Sequence, residues 1–144
     1  MARIKLTLPE RFLFSASIPV RITDLNYGAH VGNDTILSLM HEARVQFLRL
    51  FGYEELNFGG VGLIMSDVAI EFKNQLFYGT QVKAHVAAAD FTRAGFDLYY
   101  KLTIEGNGAE TVIALAKTGM VCFDYTIKKV VAVPEVAAKK LLAH

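Results

Sequence analysis

The chain has 144 residues, 53% of them hydrophobic and 20% charged, and its 15 lysines and arginines nearly balance 14 acids for a net charge of +1. That length suits one domain over residues 1–144. The composition excludes a disordered chain, and the charge balance gives no electrostatic reason to expect nucleic acid. A single cysteine, Cys122, excludes an internal disulfide and fits a reducing, cytoplasmic setting. No uncharged apolar run approaches the ~20 residues that span a bilayer, and Pro9, Glu10 and Arg11 interrupt any signal-like stretch near the start. The mean hydropathy of +0.32 is high for a monomer of this size and points to a buried subunit interface.

In chain order, Phe12 to Thr23 alternates, with Phe12, Phe14, Ala16, Ile18, Val20 and Ile22 on one face, which predicts a half-buried strand delivering Asp24 at its end. A polar stretch rich in glycine follows, Asp24 to Asp34. Residues 34–51 then read as the one long helix. Ile36, Leu37, Leu39, Met40, Ala43, Phe47, Leu48, Leu50 and Phe51 form a broad apolar arc. Asn33 and Asp34 are good N-cap types, and Gly52 supplies a left-handed stop. At 1.5 Å per residue the rod is about 27 Å long. Arg44 interrupts the arc and is expected to pack its stem while its head reaches water.

Tyr53 to Gly62 reads as a flexible loop able to cover or gate something. Leu63 to Lys73 is a second strand, with Ile64, Val68, Ile70 and Phe72 on one side and Asp67, Glu71 and Lys73 on the other. Asn74 to Thr80 is a turn, Gln81 to Asp90 a third strand and Thr92 to Gly95 a tight turn. Phe96 to Glu105 is a fourth strand, and Gly106-Asn107-Gly108 signals a hairpin into a fifth, Glu110 to Tyr125. A short helix, Glu135 to Leu142, closes the chain. Strand, long helix, four antiparallel strands and short helix predict an α+β fold. Five to six antiparallel strands curve around the one long helix.

At this point the sequence resembles the hotdog-fold acyl-CoA thioesterases of the 4-hydroxybenzoyl-CoA thioesterase-like group. The motif that carries the resemblance is Asp24-Leu25-Asn26-x-x-x-His30-Val31-Gly32-Asn33, close to that group's D-x-D-x-x-G-H-V-N-N. Glu42-Ala43-Arg44 is similar to the family's E-A-R. Supporting similarities are Gly60-Val61-Gly62 at the second strand and Gly119 to Asp124 in the last. The resemblance implies a dimer joined edge to edge between sheets, with acyl-thioester sites at the subunit interface. It also implies amides at the helix N-terminus that polarise the thioester carbonyl. Asn26 stands where many members carry the second acid, and an amide cannot serve as base or carboxylate nucleophile.

A thioester is already activated, so its hydrolysis needs a positioned water, a base and a polarised carbonyl. The candidate residues are Asp24, Asn26, His30, Gly32, Asn33 and Asp67. Helix amides at Gly32, Asn33 and Asp34 offer an oxyanion site, and Gly32 lets substrate approach the backbone. An imidazole such as His30 suits proton transfer near neutral pH, although it could equally bond backbone around its turn. Asp24 could orient His30 or act directly, or be an ordinary turn residue. Asp67 either faces solvent or reaches a partner's site. Asn26 would orient water or substrate. Cys122 reads as core, and no G-x-S-x-G elbow occurs. His30, His41, His85 and His144 lack metal spacing, so no metal and no cofactor are expected.

The implied substrate is an acyl-CoA or acyl-carrier-protein thioester, and the implied assembly a homodimer or homotetramer, with no nucleic-acid or membrane partner. Two rival readings remain. Asp24-x-Asn26 followed by His30 is reminiscent of the D-x-N-P-x-H hydratase motif, with two extra residues and no proline. The other is a module that binds acyl-CoA without turnover, motivated by Asn26.

Overall fold

The computed structural model describes residues 2–143, so His144 lies outside the described residues. The elements are β1 (Phe14–Pro19), α1 (Asn33–Leu50), β2 (Gly62–Phe72), β3 (Gln81–Ala89), β4 (Gly95–Gly106), β5 (Ala109–Asp124), β6 (Lys129–Val130) and α2 (Glu135–Leu142), with a 3-10 turn at Ile22–Asp24. The strands form one six-stranded antiparallel sheet in the order β1-β3-β4-β5-β2, and β6 pairs with the end of β5. Period-two alternation decides which face is buried. Ile18, Val82, Ala84, Val86, Phe96, Leu98, Tyr100, Leu102, Ala116, Met120 and Cys122 all join one core with the arc of α1. Helix α1 packs against β1 and β3. Small side chains there, Ala43 on the helix and Ala84 on β3, are fully buried and let helix and sheet approach closely.

The β4–β5 connection follows its sequence signal. Asn107 and Gly108 both have positive φ, 54° and 74°, the backbone of a two-residue hairpin turn. Helix α2 spans the predicted residues and buries Ala137 and Leu141. Gly59 needs its positive φ of 65° and its missing side chain, because a Cβ there would lie 3.1 Å from Pro134 just before α2. The first residues run across the outer face of the sheet. The Leu6 amide donates to Glu71 on β2, and Phe12 meets His85 of β3 edge-on at 6.0 Å between ring centres. No helix among the described residues is long and apolar enough to cross a membrane.

Several expectations are corrected. β1 ends at Pro19, and Ile22 turns out to solvent in the 3-10 turn instead of continuing the buried face. Leu50, assigned to the apolar arc, is exposed in the last helical turn. The helix cap is Gly32, one residue before the expected pair. The loop from Tyr53 to Gly62 is held, not loose: Glu54 pairs with Asn57, Phe58 with Val61, and Phe58 is fully buried. The head of Arg44 does not reach water. It is 5% exposed and bonds Glu55 Oε1 at 2.6 Å and the Tyr100 hydroxyl at 3.3 Å.

Two bulges redirect side chains. Ser66 has no partner between the pairs Met65–Met120 and Asp67–Gly119, so the pleat changes parity there. Ile64 therefore shares its face with Asp67 and lies opposite Val68, Ile70 and Phe72, not beside them. On β5, Ile113 is the unpaired residue between Val112–Thr103 and Ala114–Leu102. Its carbonyl accepts the amides of Lys73 at 2.9 Å and Asn74 at 3.2 Å, tying the chain after β2 to the sheet.

Candidate active site

Helix α1 starts with nothing capping it. Gly32 is the N-cap in extended conformation, with no side-chain hydrogen bond to the first turn. Its carbonyl accepts from Thr35 at 3.1 Å and Ile36 at 3.2 Å. The amides of Asn33 and Asp34, ahead of these, have no partner within the helix. They carry the positive end of the helix dipole. Glycine is buried at this cap, and a Cβ there would sit 2.6 Å from Asp34 Oδ1. The missing side chain makes room beside the cap for the Asp34 carboxylate and the Asn26 side chain.

The loop before the helix is a small hydrogen-bonded unit. The Asn26 amide donates to the His30 carbonyl at 2.8 Å, and Leu25 pairs with Val31. Asn26 Oδ1 accepts the Gly28 amide at 2.8 Å, an Asx turn that lets the chain reverse. Ala29 takes a positive φ of 63° at the tip. Val31 N donates to Leu76 O at 2.8 Å, joining this loop to the one after β2. His30 is half-buried with Nδ1 3.2 Å from the Val31 carbonyl. A carbonyl only accepts, so that bond requires the proton on Nδ1 and leaves the lone pair of a neutral ring on Nε2. Gly28 keeps that atom uncovered: a Cβ there would lie 3.3 Å from His30 Nε2.

His30 and Asn33 open onto a hollow of about 690 Å³. Its apolar walls are Ile36 of the helix, Phe72 at the end of β2, Leu76 and Phe77 beyond it, and Ile104 and Ile113 of the sheet. Asp24 faces elsewhere. It is buried and closes the 3-10 turn by accepting the Arg21 amide at 2.8 Å, with the Arg21 guanidinium at 3.4 Å. It lines a separate hollow of about 380 Å³ beside the polar side of α1, along with His41 and Glu42. The motif's histidine and first acid thus point into different hollows.

Asp67 lies on the outer face of the sheet at the Ser66 bulge. Its Oδ1 accepts Lys117 Nζ at 2.9 Å and the Gly119 amide at 3.0 Å. The Lys117 hydrogen bond, helped by its charge and the Gly119 amide, holds this carboxyl below its ordinary range. The missing side chain of Gly119 makes room for the carboxylate, since a Cβ would sit 2.4 Å from Asp67 Oδ1. The structure therefore brings together Asn26, His30, Gly32 and Asn33, and leaves Asp24 and Asp67 apart from them.

Two groups escaped the sequence. Glu55 is the partner of Arg44, and its other oxygen lies 2.9 Å from His41 Nε2. Burial pushes the Glu55 carboxyl up, but the bonds and charges of Arg44 and His41 prevail and hold it below the usual range. An acid in a glycine-rich loop gave no sign of this. The hollow's walls were also hidden, since Ile113 enters it only because of its bulge.

Uncommitted helix amides, an adjacent imidazole and an apolar hollow suit an enzyme that polarises a carbonyl and delivers water to it. The comparisons agree. The profile of the thioesterase-like superfamily matches residues 20–141. Over 103 residues the chain is 31% identical to the 1,4-dihydroxy-2-naphthoyl-CoA hydrolase of Microcystis aeruginosa, covering 69% of this chain and 72% of that one. It superposes with a TM-score of 0.79 on a 1,4-dihydroxy-2-naphthoyl-CoA thioesterase from Synechocystis, at 18% identity, covering 90% of this chain and 95% of that one. A mutant 4-hydroxybenzoyl-CoA thioesterase, solved with 4-hydroxybenzoyl-CoA, gives a TM-score of 0.80 at 12% identity, covering 89% and 97%. The fold is the expected hotdog. The chain belongs to the thioesterase-like superfamily and is a thioester hydrolase.

Proposed function

We propose that the enzyme hydrolyses the thioester of an aromatic acyl-CoA, with water activated by His30. The observation that carries this reading is the uncapped start of α1 at Gly32, opening beside His30 onto an apolar hollow. The acyl group lies against the hollow's apolar walls, and its carbonyl oxygen accepts from the Asn33 and Asp34 amides. His30 Nε2 takes a proton from water as the oxygen attacks the carbonyl carbon. Collapse of the tetrahedral adduct breaks the C–S bond, and the imidazolium returns the proton to the leaving sulfur. Asn26, whose Nδ2 lies 3.7 Å from where a Cβ on Gly32 would be, orients water or the carbonyl. Asp24 shapes the turn that presents the loop. No chemical step is assigned to Asp67. The named substrates of the relatives, 1,4-dihydroxy-2-naphthoyl-CoA and 4-hydroxybenzoyl-CoA, support CoA over an acyl carrier protein and a ring over a chain.

The working unit of this reading is a homodimer. Among the described residues β2 is an edge strand paired only with β5, and Met65 and Val68 are 38% and 40% exposed along it. An apolar, unpaired edge is a template for a second strand, and a copy of the same edge would cover both. A buried, unpaired Cys122 fits the reducing cytoplasm.

The test is thiol release from benzoyl-, 2-naphthoyl- and octanoyl-CoA by wild type beside His30→Ala. Wild-type release that falls by at least ~100-fold in the variant, with the fold intact, supports the reading. Release untouched by the variant removes His30 as base. With crotonyl-CoA added to the panel, loss of its enoyl absorbance without thiol release would instead favour hydration.

A further inference from the structure

The geometry points to Phe72 and Phe77 as the residues that select a flat acyl ring over a flexible chain, an inference resting on the acyl-CoA reading above. Both phenylalanines line the hollow that His30 and Asn33 open onto, and both are 50% exposed. Large aromatic rings left half in water beside a reacting centre are surfaces waiting for apolar partners. Neither is among the residues of the hydrophobic core or those packed against it.

Their positions are fixed by backbone, not by side-chain packing. The Ile113 bulge presents one carbonyl to both Lys73 N and Asn74 N, immediately after Phe72. Asn74 Nδ2 donates to Val112 O at 2.7 Å, next to the same bulge. Leu76, 1% exposed, accepts Val31 N at 2.8 Å immediately before Phe77. The segment carrying the two rings is therefore pinned to β5 on one side and to the catalytic loop on the other.

Fixed aromatic walls treat rigid and flexible ligands differently. A planar ring loses little internal freedom on entering and gains ring-ring contact beyond area alone, worth roughly 2- to 10-fold in affinity per aromatic pair. An alkyl chain must freeze several rotors to fill the same space, and it gains nothing specific from a ring face. The two phenylalanines thus set the ratio between ring and chain, not the overall strength of binding.

The experiment measures binding of two non-hydrolysable thioethers, 2-naphthylmethyl-CoA and octyl-CoA, to wild type, Phe72→Leu and Phe77→Leu. Leucine keeps apolar volume and removes the ring, and both sites are half-exposed, so the fold should survive; thermal unfolding checks it. Each variant is expected to weaken naphthyl binding about 5- to 10-fold and to leave octyl binding within about 2-fold. Equal weakening of both ligands would mean plain packing and overturn the assignment, as would no change in either. The thioethers need no turnover. Ring selectivity without thiol release from any acyl-CoA would sink the hydrolytic reading alone, and release without selectivity would sink this one alone.

Discussion

At its N-terminus α1 meets Gly32, which has no side chain to cap the first turn. About three turns further along, Arg44 gives its Nε–H to Glu55 and an Nη1–H to Tyr100. The Tyr100 hydroxyl in turn lies 2.7 Å from Thr118 Oγ1, so the network crosses from helix to loop to two strands. Both regions hold polar groups against the sheet, and they differ in what answers them. Where the protein supplies its own partners, the polar groups fix the fold. Where it withholds them, strong donors remain for a ligand. The open end is where the proposed site lies, and it differs from the Arg44 region in leaving its helix amides without a protein partner.

The sharpest way to break this contrast is to close the open end. Gly32→Val places branched carbon over the Asn33 and Asp34 amides at a φ of −71°, which valine adopts without strain. The Asp34 side chain can turn aside from the contact. Losing access to such donors costs about 100- to 1000-fold in kcat, or about 2.7–4 kcal/mol. Steady-state thiol release should show that loss while the unfolding midpoint in urea changes little. A drop in stability equal to the drop in activity would make Gly32 a folding residue instead.

The second way is to open the closed region. Glu55→Gln leaves the buried Arg44 without its anion, and breaking one side of a buried pair costs about 3 kcal/mol, here reduced because Glu55 is partly exposed. Urea unfolding should show a fall of about 2–3 kcal/mol, with kcat nearly kept. The pH dependence carries a sign. Because folding lowers the Glu55 carboxyl from its ordinary value, its contribution is fully present above about pH 4.5 and is lost as pH falls through the depressed value. The variant should therefore lose stability less steeply than wild type below pH 4.5. A steeper loss would contradict the assigned pair.

How much of this the chain announces in advance differs between the same regions. The 3.6-residue period marked α1 to within a residue, and Asn107-Gly108 and Pro134 marked the hairpin and the start of α2. Those signals are local, so they survive without tertiary knowledge. That His30, Gly32 and Asn33 lie together was legible for the same reason, since they crowd the start of one helix. The bulges at Ser66 and Ile113 were not, because one extra residue in an apolar run leaves the alternation looking intact while reversing which side chains face in. Arg44 and Glu55 are eleven residues apart across a glycine-rich loop, with no periodicity to link them. β6, only Lys129–Val130, is too short to show any pattern.

The smallest effect belongs to Asp67, and it tests whether the open helix end suffices without an acid from the outer face. The Asp67 side chain is 62% exposed, and its partner Lys117 also lies 3.7 Å from Asp97. Asp67→Asn keeps an oxygen for the Gly119 amide and leaves Lys117 a second carboxylate. Exposed pairs of this kind are screened by water and salt, so the expected loss is about 0.5 kcal/mol or less. Folding lowers this carboxyl too, so even that contribution is fully present only above about pH 3.8 and is lost as pH falls through the depressed value. Thiol release by the variant should stay within about 2-fold of wild type across pH 6–9, because the reaction as drawn routes no proton through the outer face. A loss of 100-fold with the fold intact would place Asp67 at a reacting carbonyl. In that case it would have to reach a neighbouring subunit's site, and the division between an open helix end and a closed remainder would no longer describe one chain alone.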